Sequence, residues 1–261
     1  MSRLLSFALI ASLALSPAMT FAGTVVQFDT QLGSFRAELF DDVAPITVAN
    51  FLSYVLSGEY NGSVIHRAYG IPDGSGGLIP FVLQGGGYYP LPEGSGTEVP
   101  AVPSHGAIKN EFIGTPNSRG TLAMALPVNS QTMEADLDGA TNQWYINLND
   151  NQDIIFPQEV VVFGQVLGNG MDVVDLLSIQ QTFNFGGEFS TLPLLPTYTE
   201  AEFLAGDLPL PADWITINVH VVPEPASLVM TIGGAALIGG VLIRRRRARS
   251  RRYSRRHSAA H

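Results

Sequence analysis

Arg67 ends the β-prone run Ser63, Val64, Ile65, His66, and Gln84 follows Phe81, Val82 and Leu83 before three glycines. A guanidinium presents its donors in a rigid fork and keeps its charge, so on a strand among apolar neighbours it needs an acceptor. The Gln84 carboxamide both donates and accepts, and can hold that fork or the backbone of a ligand. A charged donor of fixed geometry acts by electrostatics and requires no covalent intermediate. Other chemistries find less support. The chain has no cysteine, which excludes a thiol nucleophile and a Cys-ligated zinc. His66, His105 and His220 are too scattered for a metal-ligand pattern, and strand alternation turns His66 to the face opposite Arg67. Ser104-His105 and the aspartates form no nucleophile–base signature.

The elements that must position these residues are mostly strands. Residues 24–30 and 33–40 read as a hairpin about Gln31-Leu32-Gly33. Pro45, the periodic Ile46, Val48, Ala49, Leu52, Val55 and Leu56, and then Gly58 mark a helix, with Asp41 and Asp42 ahead of it. Residues 63–67, 81–87, 120–126, 142–147, 160–166 and 214–221 are further strands, and residues 171–177 form a second helix helped by Asp172. Residues 68–80, 88–117 and 129–139 read as loops, and residues 183–213 as a proline-containing extension. Too few helices are present to cross over a parallel sheet, so the pattern favours an all-β, closed antiparallel barrel.

Several motifs carry a resemblance. Ile65-His66-Arg67, Pro80-Phe81-Val82-Leu83-Gln84-Gly85-Gly86, Leu122-Ala123-Met124-Ala125, Asn142-Gln143-Trp144-Tyr145-Ile146 and Val162-Phe163-Gly164 follow one another in an order that resembles the cyclophilins, the peptidyl-prolyl isomerases. The resemblance covers about residues 24–221 and implies a closed eight-stranded antiparallel barrel capped by two helices. It implies an isomerase of X–Pro bonds that uses no cofactor and no metal. Arg67 takes the catalytic position. Phe81, Val82, Gln84, Ala125, Gln143, Tyr145 and Phe156 take the substrate-binding positions, with Gln143 gripping the peptide opposite Arg67.

Several positions depart from the family pattern. Val82 replaces a methionine, Leu126 an asparagine, and Ile155-Phe156 and Val160 fall where a tryptophan–leucine pair and a histidine are expected. The Tyr145 hydroxyl, absent from the usual phenylalanine, requires a partner. These departures leave a second reading open, a non-catalytic proline-peptide-binding or matrix module on the same barrel. Residues 68–80 are longer than the turn the family has at that point and read as an exposed loop near the groove.

The chain ends read differently from the middle. Residues 1–22, with Arg3 and an apolar run over 4–15, read as a signal peptide cleaved after Ala22, with Ala18 as the alternative site. Pro223-Glu224-Pro225 leads into an apolar stretch over 226–243 and an arginine-rich tail over 244–256. As a helix that stretch spans about 27 Å against a hydrocarbon core of roughly 30 Å. The arrangement resembles a PEP-CTERM sorting signal. That implies an exosortase-type processing enzyme as a partner and delivery to the cell surface or beyond it. The alternative is a plain C-terminal membrane anchor with the tail cytoplasmic. Of 14 basic residues only Arg36, Arg67, Lys109 and Arg119 lie between the two ends, against 22 of the 23 acids, so nucleic acid is an unfavourable partner. Proline-containing polypeptides are the expected partners, with membrane contact through residues 226–243.

Overall fold

A computed structural model describes residues 23–223, apart from residues 130, 133 and 155–158. Eight antiparallel strands close a barrel in the order β1 (Val25–Thr30), β10 (Thr216–Val221), β3 (Ser63–Pro72), β4 (Leu78–Gly85), β6 (Trp144–Asn147), β5 (Thr121–Met124), β7 (Val162–Val166), β2 (Gly33–Leu39). Closure leaves none of these strands with a free edge. Phe28, Phe35, Leu39, Ile65, Leu83, Leu122, Trp144, Phe163 and Ile217 alternate inward to fill it. Phe28 stacks on Phe35 at 4.7 Å and meets Trp144 edge-on at 5.2 Å.

Two helices cap the barrel. Helix α1 (Pro45–Ser57) buries Val48, Phe51, Tyr54 and Val55 and stops at Gly58, which adopts the left-handed conformation (φ 80°) that a side chain disfavours. Helix α2 (Gly170–Ser178) buries Val174 and Leu177.

Two regions differ from the sequence expectation. Residues 68–80 are not a loop. The β3–β4 ladder continues through Ala68↔Leu83, Tyr69↔Val82 and Ile71↔Ile79 to Pro72↔Leu78, so the connecting turn is only Asp73–Gly77. Glycine and proline mask the strand signal there, while pairing with a neighbour decides the outcome. The stretch over 183–213 also contains more order than its prolines suggest. It holds a two-stranded ribbon, β8 (Thr182–Phe183) with β9 (Leu192–Pro193), and a third helix, α3 (Glu200–Ala205), beyond the two expected. Thr199 caps α3 by accepting from the Glu202 N–H, and the Glu202 carboxylate accepts from the Thr199 N–H. This excursion and residues around Leu91 enclose a second apolar cluster outside the barrel, with Val64, Phe183, Leu192, Leu194, Tyr198 and Trp214.

Among the described residues no helix is long and apolar enough to cross a membrane. The expected signal peptide and the expected span over 226–243 lie outside the described residues.

Candidate active site

The β3–β4 hairpin aims the key side chains through two bulges. Ile65 pairs with Gly85 but Arg67 pairs with Gln84, so His66 is an extra residue on β3. Uninterrupted alternation would put Ile65 and Arg67 on one face. The bulge separates them: Ile65 enters the barrel core and Arg67 lines a cleft on the outer wall. Farther along, Tyr69 pairs with Val82 and Gly70 with Pro80, making Phe81 the extra residue on β4. Phe81 and Val82, neighbours in sequence, therefore both line the cleft.

The cleft has a volume of about 600 Å³ and brings together Arg67, Phe81, Val82, Gln84, Ala125, Gln143 and Tyr145. Those are the expected site residues other than Phe156, which lies outside the described residues. Gln84 connects two of them. Its amide nitrogen donates to Gln143 Oε1 at 2.7 Å, and its carbonyl oxygen faces Arg67 Nη1 at 3.5 Å, the long limit of a hydrogen bond. Through Gln84, Gln143 joins the same hydrogen-bond network as Arg67. The Arg67 guanidinium carbon lies 4.6 Å from the centre of the Tyr69 ring, and its buried Nε has no partner. Apart from the long contact to Gln84, no hydrogen bond holds the fork among the described residues.

The apolar floor rests on a buried polar layer. Tyr145 donates to Asn117 Oδ1 at 3.1 Å, which gives its hydroxyl the partner the sequence required, and burial raises its pKa. Asn147 donates to Asn117 Oδ1 and Thr121 Oγ1, and Asn151 donates to Asn147 Oδ1 and, at 2.7 Å, to the Phe81 carbonyl. Phe81 is held from behind by this chain of amides. Ala125 donates its N–H to the Gln143 carbonyl at 2.9 Å, which leaves its own carbonyl as the group open to a strand-like ligand. A side chain at Gly87 would stand 2.8 Å from Gln143 Nε2, so glycine is what lets Gln143 lie where it does.

His66 is fully buried beside this site, between Tyr88 at 5.1 Å and Phe189 at 6.3 Å, and neither ring nitrogen has a hydrogen-bond partner. Because of the bulge it does not simply face away from Arg67; it lies under the outer aromatic cluster next to it. Burial first, and the Arg67 cation second, pull its pKa down to about 4.

Leu126 and Val160, two of the departures from the family pattern, also line the cleft, while Ile155 lies outside the described residues. Thr141, Ile154 and Glu188 join them without any advance signal in the sequence. Ile154 lies in a turn beyond the strand read over 142–147, whereas Thr141 directly precedes that strand and could have been found by extending it. Glu188 could not, because only the folding of the excursion brings it there.

A second constellation stands apart from the cleft. His105 Nδ1 is 2.8 Å from Ser53 Oγ and its Nε2 is 2.6 Å from Glu59 Oε2, with the ring stacked on Tyr54 at 4.1 Å. Serine, histidine and carboxylate are in line, a set that sequence spacing concealed. Ser53 lies inside α1, whose amide N–H groups are committed to the helix, so it lacks the donors that acyl transfer requires. The set ties α1 to the loop at His105.

A closed antiparallel barrel with an arginine–glutamine network beside an apolar outer cleft is an arrangement for holding an extended peptide. Residues 25–190 match the family model for the cyclophilin type peptidyl-prolyl cis-trans isomerases. The chain is 38% identical over 173 residues to a peptidyl-prolyl cis-trans isomerase of Acinetobacter baylyi, covering 65% of this chain and 79% of that one. It is 36% identical over 191 residues to peptidyl-prolyl cis-trans isomerase A of Dickeya dadantii, covering 70% and 86%. In fold it resembles a cyclophilin type isomerase of Cryptosporidium parvum, with a TM-score of 0.51 and 20% identity over 77% of this chain and 99% of that one. The chain belongs to the cyclophilin-type peptidyl-prolyl cis-trans isomerase family and is an enzyme of that class.

Proposed function

We propose that the protein accelerates rotation about X–Pro bonds in exported polypeptides, with Arg67 as the catalytic residue, and that it is itself exported and sorted to the cell surface. Rotation must break amide resonance, a barrier of about 18–20 kcal/mol. At the twisted midpoint the prolyl nitrogen leaves conjugation and its lone pair becomes an acceptor. A donor directed there stabilises the transition state more than either planar isomer. In this reading Phe81, Val82 and Tyr145 receive the proline ring. Gln84 and Gln143 orient Arg67 and the substrate backbone, and the Ala125 carbonyl pairs with the peptide. Phe156 belongs to the same pocket on the strength of the family resemblance.

The observation that supports this most is the free Arg67 fork beside an apolar cleft. Export and sorting rest on the sequence of the two ends, where an exosortase-type enzyme would act on the Pro223-Glu224-Pro225 region. The test is cis/trans exchange in a proline tetrapeptide with the full chain. Wild type should catalyse it and Arg67→Ala should lose roughly 100-fold or more, the scale of removing a transition-state donor. Equal rates in the two proteins would refute the role given to Arg67.

A further inference from the structure

The excursion between α2 and β10 does more than decorate the barrel, because it builds part of the cleft wall. Its short turn Gly187–Phe189 carries Glu188 into the lining that also contains Arg67. The turn is anchored on three sides. The Phe189 ring packs on Tyr88 at 4.8 Å and on Trp214 at 6.0 Å, the Phe189 carbonyl accepts from Phe185 N–H, and the Thr191 carbonyl accepts from Ala68 N–H at 3.0 Å on β3. Gly186 and Gly187 take the left-handed φ values, 85° and 53°, that let the chain fold back onto β3 there.

Neither Arg67 nor Glu188 is in an ion pair among the described residues. The cleft therefore presents an unpaired cation and an unpaired carboxylate in one space of about 600 Å³, room for several residues and not one ring alone. On another part of the wall, Val128 and Gly139 bound a loop with exposed Glu134, Asp136 and Asp138, and no cation pairs with these either. A ligand that complements this pattern offers a carbonyl or amide to Arg67 and a positive side chain to the carboxylates around it.

We infer that Glu188 is a specificity-determining residue that selects proline-containing segments bearing a lysine or arginine beside the proline. The inference rests on the isomerase reading and adds a substrate class to it. The test uses the full chain and three tetrapeptides that differ only in having Lys, Gln or Glu next to proline, with kcat/KM measured for cis/trans exchange. The ratio of the Lys to the Gln peptide should exceed one in wild type. It should fall by about threefold in Glu188→Gln, the scale of an exposed charge pair, and drop below one in Glu188→Lys. High salt should compress the wild-type ratio toward one. A wild-type ratio of one at low salt, or a ratio that neither substitution moves, overturns the inference. If no peptide is isomerised at all, the isomerase reading is what fails. The same ratio taken from dissociation constants for the three peptides then decides for or against Glu188.

Discussion

Arg67 and His66 are adjacent, polar and enclosed, and the protein treats them in opposite ways. The Arg67 fork keeps an open side toward the cleft and rests on the Tyr69 face, so its charge stays available. His66 has no solvent and no partner, and it is kept neutral. Its pKa is about 4 in the folded chain against an ordinary value of 6.5, so between those pH values the unfolded chain binds a proton that the folded chain refuses. Stability from this group is complete above pH 6.5, declines as pH falls, and changes no further below pH 4. The total is about 3 kcal/mol. Urea midpoints should therefore fall from pH 7 to pH 5 in wild type and fall much less in His66→Leu. An equal drop in both would assign the acid sensitivity elsewhere. Asp29, held low chiefly by its hydrogen bond from Ser34, titrates below this window and does not confuse the reading.

Arg67 and Gln84 were legible in the sequence as polar residues on β-prone runs, where a side chain must find a partner, and Gln143 and Tyr145 through the family motif that carries them. The partners themselves were not legible. Asn117, which receives the Tyr145 hydroxyl, lies 28 residues away in an irregular segment with no motif of its own.

Helix α1 shows how a signal can be right about an element and wrong about its cause. Asp41 and Asp42 mark its start in the sequence, yet Asp41 is engaged with the Thr24 N–H and hydroxyl, and Ala44 at the cap position has no capping side chain. The free N–H groups of Ile46 and Thr47 instead donate to the Glu111 carboxylate, at 3.1 and 2.6 Å. A carboxylate at a helix N-terminus satisfies orphan donors and meets the positive end of the dipole. Glu111→Ala should cost about 1 kcal/mol in urea unfolding, the usual loss for a removed cap, while Asp42→Ala should cost almost nothing. The reverse order would show that sequence proximity governs here.

The two bulges in β3 and β4 carry the same lesson in a sheet. Composition identifies both strands, but a one-residue slip exchanges the faces of all side chains beyond it. Only the pairing partner, strand by strand, shows that His66 and Phe81 are the extra residues.

The chain as a whole is a barrel with an added aromatic lobe and two ends of different composition. Extending the connection between α2 and β10 costs little, because loop-closure entropy grows slowly with length. The lobe offsets that cost by burying Phe183, Leu192, Tyr198 and Trp214. The family match ends at residue 190, while the last barrel strand begins at Thr216, so the chain passes through the lobe before β10 closes the sheet between β1 and β3. For the ends, mass spectrometry of the mature protein should place the N-terminus at Gly23 and the C-terminus near Pro225. Intact ends on a surface-located protein would refute processing and leave the plain anchor.

Read alone, the order of amino acids determined the barrel, its two caps, the cation and its amide companion, because alternation, capping glycines and β-prone runs are local and repeat every few residues. Tertiary structure alone decided which way Arg67 points, what Gln143 holds, which acid caps α1 and that Glu188 reaches the cleft. Each of those depends on strand register or on contact between segments far apart in the chain. No periodicity encodes such contacts; they exist only once the barrel has closed.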